Sequence, residues 1–184
     1  MKSGYVSIIG RPNTGKSTLL NALLNQKISA VTHKAQTTRS RILGIYMDDE
    51  SQIIFYDTPG MIDSKNKMEE LMLRDIKQSV SDADILLIMV DDRNYLDVPK
   101  IPPGNKPAAV ILNKIDRMEG TDAAIASINE RFPDTEVIGI SALKGLNLEQ
   151  LLKFIKSHLP YDHAFYPEDA ITDKPVKFFV AEFI

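Results

Sequence analysis

Two uninterrupted apolar runs constrain the fold of this chain more than any other feature. They are Ile85–Val90 and Ala108–Leu112, and neither contains a polar residue. A strand with one face in water alternates apolar and polar residues, whereas a strand covered on both faces is apolar throughout. The two runs therefore predict central strands of a parallel sheet that carries helices on both faces.

The rest of the chain alternates between strand-like and helix-like segments. Further strands are predicted at Tyr5–Ile9, Arg41–Met47, Gln52–Tyr56 and Val137–Ile140, the second and third forming a hairpin. Helices are predicted at Lys16–Asn25, Met68–Ser79, Asp122–Arg131 and Leu148–His158. The predicted fold class is α/β: a three-layer αβα sandwich with a mostly parallel, six-stranded sheet and one antiparallel strand.

Composition limits the functions that need to be considered. A length of 184 residues suits one α/β domain with a short appendage, and the net charge of −3 gives no signature of nucleic-acid binding. The absence of cysteine excludes disulfides and thiolate metal ligands. The first apolar run is too short for a signal peptide, and no stretch reaches the length of a membrane span. We therefore expect a cytoplasmic protein.

The stretch GRPNTGKST, residues 10–18, lies between the first predicted strand and the first predicted helix. It fits the phosphate-binding pattern G-x-x-x-x-G-K-S in the strand–loop–helix context that the pattern requires. Its glycines allow backbone amides to turn toward phosphate oxygens, its lysine supplies positive charge, and its serine hydroxyl can ligate Mg²⁺. The predicted nucleotide contacts here are Asn13, Thr14, Gly15, Lys16, Ser17 and Thr18.

A second motif indicates which base is bound. Asn113-Lys114-Ile115-Asp116 follows a buried strand, at the edge where open parallel sheets bind ligands. The carboxylate of Asp116 can accept hydrogen bonds from N1 and the 2-amino group of guanine, which adenine cannot offer. The stem of Lys114 can cover one face of the base. Asn113 can either brace the phosphate loop or reach N7 of the base.

Ser141-Ala142-Leu143 ends the next strand and completes the predicted base site. The amide of Ala142 can donate to guanine O6. In this order and spacing, the motifs predict binding of GTP and GDP.

A third group of residues is predicted to sense the γ-phosphate. Asp57, in Asp57-Thr58-Pro59-Gly60, can hold Mg²⁺ directly or through water, and the amide of Gly60 can donate to the γ-phosphate. A threonine of Gln36-Thr37-Thr38-Arg39 can complete the Mg²⁺ shell, and the residues alone do not separate Thr37 from Thr38.

The spaced motifs resemble those of the translation-factor-related GTPases. Within that class, four stretches resemble the Era family of bacterial GTPases along nearly the whole chain: GRPNTGKSTLLNALL, KAQTTRSRILGI, QIIFYDTPGM and FYPEDAITDKP. The resemblance implies a GTP hydrolase acting as a conformational switch, with Lys16, Thr38 and Gly60 as catalytic residues and Thr38 as the third Mg²⁺ ligand. It also implies a GTPase domain over residues 1–160. Residues 161–184 would then be a linker and the truncated start of a C-terminal RNA-binding KH domain.

The partners implied by the resemblance are small-subunit ribosomal RNA and the 30S subunit, reached through the missing KH domain. A peripheral contact with the inner face of the cell membrane is implied as well. The chain contains no GxxG clamp for RNA, so tight RNA binding by this chain alone is not expected. The alternatives are a related GTPase acting in tRNA modification or another assembly step, and a guanine-nucleotide module that does not hydrolyse GTP.

Three further residues or pairs deserve an interpretation. Asn13 occupies the place where potassium-activated relatives of the Era family carry asparagine, so its side-chain oxygen could ligate K⁺. Met61 follows Gly60, where Ras-like enzymes place a water-orienting glutamine, so intrinsic hydrolysis is expected to be slow. Asp91-Asp92 resembles a metal-binding pair but has no motif around it, and we interpret it as a solvated strand end.

Overall fold

The computed structural model describes residues 1–26, 42–60, 67–98, 105–167 and 170–172. The predicted contacts of Thr37 and Thr38, and the effect of Met61, lie outside these residues. The strands are β1 Lys2–Gly10, β2 Ile42–Met47, β3 Ser51–Asp57, β4 Ile85–Asp91, β5 Ala108–Asn113 and β6 Glu136–Gly139. The α-helices are α1 Lys16–Leu24, α2 Lys67–Asp82, α3 Thr121–Arg131 and α4 Leu148–His158, and a 3-10 helix covers Ile115–Arg117.

The strands form one sheet in the order β2-β3-β1-β4-β5-β6. Only the β2–β3 pair is antiparallel, and the other neighbours are parallel. The predicted fold class is therefore confirmed. β1 begins earlier than predicted because Lys2, Ser3 and Gly4 join a parallel ladder with Ser51–Ile53 of β3, a long-range pairing that no local pattern indicates.

Helices cover both faces of the sheet, as the apolar runs predict. On one face, α1 and α4 bury Leu19, Leu20, Leu151 and Ile155 against the strands. On the other face, α2 and α3 bury Ile76, Ala124 and Ile128. Side chains of successive residues in β4 belong to opposite clusters, because strand residues alternate between faces. None of the helices within the described ranges is long and apolar enough to cross a membrane.

The β2–β3 hairpin is covered by a segment from the end of the described chain, which we call the C-terminal strap (residues 160–167 and 170–172). Gln52 of β3 is fully buried and is the main anchor of the strap. Its side-chain oxygen accepts hydrogen bonds from the amides of Phe165 and Tyr166, at 2.7 and 3.0 Å, and its amide donates to Tyr166 O at 2.8 Å. The N–H of Ile45 also donates to Ile171 O at 2.8 Å.

Strap and sheet thus pack at the end of the sheet where the parallel strands begin, which we call the amino edge. The predicted division at residues 160 and 161 stays a prediction.

Candidate functional site

The loop between β1 and α1 folds around the ammonium group of Lys16. Lys16 is 6% exposed, and its Nζ donates to the carbonyls of Gly10 and Arg11, both at 3.0 Å. Burial lowers the pKa of Lys16 to about 8, while the nearby Asp57 carboxylate opposes that shift. The loop therefore holds a desolvated cation whose charged form an arriving anion would stabilise.

Gly15 caps the start of α1 in a conformation that favours glycine. Its φ is +101°, and a Cβ built there would overlap the side-chain nitrogen of Asn113. The backbone amides at this end of α1 carry the positive pole of the helix. The predicted ligands Ser17 and Thr18 lie in the same first turn and are partly exposed. The predicted phosphate contacts thus share one loop and one helix end.

Asn113, which ends β5, joins two of the motifs. Its Nδ2 donates to Thr14 O at 2.8 Å, and its Oδ1 accepts the N–H of Ala142 at 3.0 Å. The sequence left two roles open for Asn113, bracing the phosphate loop or reaching N7 of the base. In the structure, Asn113 braces the loop. A guanine O6 would have to share the Ala142 amide with this side chain.

The residue after Asn113 points its ammonium group back to the phosphate loop. Nζ of Lys114 donates to Asn13 O at 2.7 Å and forms an ion pair with Asp91. Asp91 is 4% exposed. The interpretation of Asp91 as part of a solvated strand end is therefore wrong, because a cation from the next strand's end buries and neutralises it. Asp92, the next residue, is only partly exposed.

Asp116 lies in the 3-10 helix after β5 and is exposed. Together with residues from the phosphate loop and from the end of β6, it lines a cavity of about 430 Å³ at the carboxyl edge of the sheet, where the parallel strands end. Eight residues predicted from the motifs line this cavity: Asn13, Gly15, Thr18, Asn113, Lys114, Asp116, Ser141 and Leu143. Arg93 and Arg117 line it as well. Sequence reasoning did not include these two arginines, since no motif contains them in a fixed role.

The end of β3 reaches the opposite side of the phosphate loop. Asp57 and Thr58 are fully buried, and Thr58 Oγ1 donates to Ile8 O of β1 at 2.7 Å. Gly60 packs against the loop so closely that an added Cβ would lie 2.7 Å from Pro12. The structure thus brings Asp57 and Gly60 to the loop that holds Lys16.

A larger cleft, of about 820 Å³, lies at the amino edge of the sheet. Its lining includes Lys2, Tyr46, Lys153, Lys156 and Tyr161, and none of its described lining residues belongs to a predicted motif. Lys2 and Lys156 are already bonded within the chain, to Lys156 O and to Asp48 respectively. The smaller cavity is therefore the better candidate for a ligand site, because the predicted motifs converge there.

Comparison with known proteins identifies the family of the chain. The family described as 50S ribosome-binding GTPase matches residues 5–130. The chain belongs to that family. This range contains the phosphate loop, the Asp57–Gly60 motif and the Asn113–Asp116 motif.

Curated relatives within the family are named GTPase Era. Era of Aquifex aeolicus is 42% identical over 200 residues, which cover 100% of this chain and 66% of the relative. Era of Clostridioides difficile is 38% identical over 197 residues, covering 100% of this chain and 65% of the relative. The chain thus spans just under two thirds of the length of these relatives. The resemblance to the Era GTPases drawn from the four stretches is confirmed.

Solved structures give the same result. A crystal structure of Era with MgGDPNP and nucleotides 1506–1542 of 16S ribosomal RNA has a TM-score of 0.90 and 42% identity, covering 99% of this chain and 65% of that chain. An Aquifex aeolicus Era variant bound to GDP·AlF4⁻ has a TM-score of 0.89, 42% identity and the same coverage. The FeoB G-domain from Methanococcus jannaschii, at 23% identity and a TM-score of 0.64, covers 86% of this chain and 98% of that chain and shares the fold alone.

Proposed function

We propose that this chain binds GTP and GDP and hydrolyses GTP as the switch domain of an Era-type protein. The observation that carries the proposal is the cavity of about 430 Å³, because three separate motifs line it together. Asn13, Gly15 and Thr18 bring the phosphate loop and the start of α1 to it, and the same loop holds the buried Lys16 ammonium. Its base side has the exposed Asp116 carboxylate, which a bound guanine would cover and pair.

The residues around Lys16 also fit a Mg²⁺ ion. Asp57 is a fully buried carboxylate at the phosphate loop, and Ser17 offers a hydroxyl in the first turn of α1. Carboxylate and hydroxyl oxygens are ligands that suit Mg²⁺. Ser17 and Asp57 would hold the ion, with Thr38 as the third ligand. When bound, Mg²⁺ neutralises charge on the β- and γ-phosphates.

In this proposal, hydrolysis depends on fixed charges and backbone donors. Lys16 stabilises charge that develops on the phosphates, and the amide of Gly60 donates to the γ-phosphate once the triphosphate is bound. Because Met61 cannot order water, intrinsic turnover is slow.

K⁺ bound by Asn13 would add a further positive charge. Single-turnover hydrolysis that is faster in KCl than in NaCl, with the difference lost in Asn13→Ala, would support this role of K⁺.

The proposed partners are small-subunit ribosomal RNA and the 30S subunit. What supports them is the Era relative whose structure contains a 16S ribosomal RNA fragment. This chain spans 65% of that protein, so the proposal concerns the parent protein, with RNA contact through its KH domain. Footprinting of the full-length protein on ribosomal RNA would test it. The cytoplasmic location and the peripheral membrane contact stay predictions.

The decisive experiment measures nucleotide binding and single-turnover hydrolysis by the wild-type chain with Mg²⁺. We expect GTP and GDP to bind, ATP not to compete, and GTP to be converted to GDP and phosphate. Binding without turnover would favour the non-hydrolysing alternative. If guanine and adenine nucleotides bind equally, the assignment of the base site is wrong.

A further inference from the structure

A buried carboxylate at the end of β4 stands outside every motif of the proposed site. Asp91 is 4% exposed, although it lies at the edge of the sheet that carries the cavity. Its Oδ1 accepts the N–H of Arg93 at 3.2 Å, and its own N–H donates to Asn94 Oδ1 at 3.1 Å. Its Oδ2 is bonded to the ammonium group of Lys114. Each of its hydrogen-bonding groups thus has a partner, so the carboxylate is held in one orientation.

Lys114 is the residue that this carboxylate holds. Its side chain is 24% exposed and lines the cavity, while its ammonium lies between Asp91 and Asn13 O. The backbone of Lys114 has φ +66° and that of Asn13 has φ +63°, a region that residues other than glycine rarely adopt. Such conformations persist where the surroundings fix them, and the ammonium of Lys114 links the two strained residues directly.

The pairing of β4 with β5 explains why this contact forms. Asp91 is opposite Asn113 in the parallel register, so the residue after Asn113 leaves the sheet beside the Asp91 carboxylate. Asn13 belongs to the phosphate loop, which follows β1 on the other side of β4. The Lys114 side chain therefore spans three neighbouring strand ends, and Asp91 is the only charged partner of its ammonium among the described residues.

We propose that Asp91 is a positioning residue for base recognition, which fixes Lys114 so that its aliphatic stem is a preset wall of the base pocket. This inference rests on the proposed function, because it assumes that the cavity takes a guanine base. A free lysine side chain loses much rotamer freedom when it is ordered by a ligand, and that loss weakens binding. With Asp91 in place, the ordering is complete before the nucleotide arrives.

The role of Asp91 differs from that of Asp116 in a measurable way. Asp116 reads the substituents of the base, whereas the stem of Lys114 covers a face that all purines share. Loss of Asp91 should therefore lower the affinities for GDP and for inosine diphosphate by the same factor. A change at Asp116 should instead alter the ratio of the two affinities.

The test is the release rate of fluorescently labelled GDP from the wild type, Asp91→Asn, Lys114→Gln and the double variant. We expect each single variant to release GDP about tenfold faster or more, because a charge-assisted hydrogen bond is lost. The double variant should be no faster than the faster single variant, since Asp91 acts through Lys114. Displacement by unlabelled inosine diphosphate should give an unchanged affinity ratio.

A control carboxylate, exposed where Asp91 is buried, lies at the other end of the same strand. Asp84 precedes β4 and accepts the N–H of Tyr5 at 2.8 Å, far from the cavity. Asp84→Asn should keep the wild-type release rate. If it speeds release as much as Asp91→Asn does, the effect is a general loss of stability and the proposal fails.

The failures of the two ideas are distinguishable. A wild type that binds no guanine nucleotide overturns the proposed function itself. A wild type that binds, combined with unchanged release from Asp91→Asn or with effects that multiply in the double variant, overturns only the role of Asp91. If Asp91→Asn does not fold on its own, Lys114→Gln is compared with the double variant, in which no buried charge is left unpaired. Equal GDP release rates in these two variants support the proposal. Faster release from the double variant contradicts it.

Discussion

At the carboxyl edge of the sheet, a buried cation and a buried carboxylate lie at the phosphate loop, part of which lines the cavity; at the amino edge, a buried neutral amide anchors the strap. Lys16 and Asp57 represent the first edge, where burial leaves a cation with a lowered pKa beside a carboxylate. Gln52 represents the second, where one amide makes hydrogen bonds with Phe165 and Tyr166 at 2.7–3.0 Å. The comparison teaches that similarly buried polar groups can form a proposed ligand site at one edge and stabilise the fold at the other.

The two edges of the sheet also differ in the number of residues with positive φ. Of the described residues with positive φ, Asn13, Gly15 and Lys114 line the cavity. The strap contains no described residue with positive φ. The other described residues with positive φ, Asn25, Gly120, Gly145 and Asn147, lie outside the cavity lining. Of the four non-glycine residues in this conformation, two thus line the proposed ligand site.

The largest expected effect comes from Lys16→Ala. We expect the affinity for GTP to fall by about a hundredfold or more, because a charged hydrogen-bond donor to phosphate is lost. The free energy of unfolding of the nucleotide-free protein should change much less, because the removed desolvation penalty of the buried charge offsets the lost hydrogen bonds to Gly10 and Arg11. Nucleotide titration and urea unfolding measure the two quantities.

Lys106→Ala is the matched lysine control. Nζ of Lys106 donates to the carbonyls of Val80, Ser81 and Ala83 at 2.5–2.6 Å, away from the cavity. Its loss should lower stability and leave GTP affinity unchanged. If Lys106→Ala also lowers the affinity for GTP, or if Lys16→Ala lowers the free energy of unfolding as much as Lys106→Ala does, the comparison between the two kinds of site is wrong.

Asp116→Asn should give the second largest effect. The carboxamide can pair with the 2-oxo group of xanthine and no longer accepts two hydrogen bonds from guanine, so preference should shift toward xanthosine triphosphate by about a hundredfold. Competition between GTP and xanthosine triphosphate measures it. Unchanged selectivity for GTP would show that Asp116 does not read the base. Stability should not change, because Asp116 is exposed.

Gln52→Ala sharpens the comparison from the other edge. It leaves the backbone groups of Phe165 and Tyr166 without their partner, so we expect a loss of about 2–3 kcal/mol in the free energy of unfolding. GTP affinity should remain within about threefold, since a stability effect away from the site does not alter contacts to the ligand. Gln78→Ala, on the exposed face of α2, is the control and should change stability by less than about 0.5 kcal/mol.

The smallest effect concerns the ion pair at the hairpin turn. Burial alone would raise the pKa of Asp48, but hydrogen bonds from Lys156, Ser51, the Glu50 amide and Tyr46 lower it from 3.8 to about 2. The stabilisation is therefore complete above pH 4 and is lost as the pH falls through about 2. Because both partners are partly exposed, Asp48→Asn should cost less than about 1 kcal/mol at neutral pH. Acid unfolding curves that coincide for the two proteins would contradict this.

Much of the fold is predictable from sequence because the decisive patterns are local. The apolar runs of β4 and β5 can only be buried on both faces, and the loop at residues 10–18 requires a strand before it and a helix after it. Asp91 could not be predicted, because its burial depends on Lys114, which is distant in sequence. The strap could not be predicted for the same reason: its prolines indicate a linker, whereas Gln52 anchors it across the molecule.

The candidate site divides in the same way. The motifs predict which residues meet, and the cavity contains most of them. They do not predict how the residues share partners. The choice of Asn113 between the loop and the base, and its bond to Ala142, depend on the distance between two strand ends.

The strand order has a consequence for the way the chain is made. β1 is synthesised before the other strands of the sheet, yet its neighbours are β3 and β4, at residues 51–57 and 85–91. Until those residues leave the ribosome, an apolar strand is exposed with both of its edges open, the state in which chains aggregate. Early synthesis is thus the vulnerable period of this protein, and slowing translation before residue 91 should lengthen it.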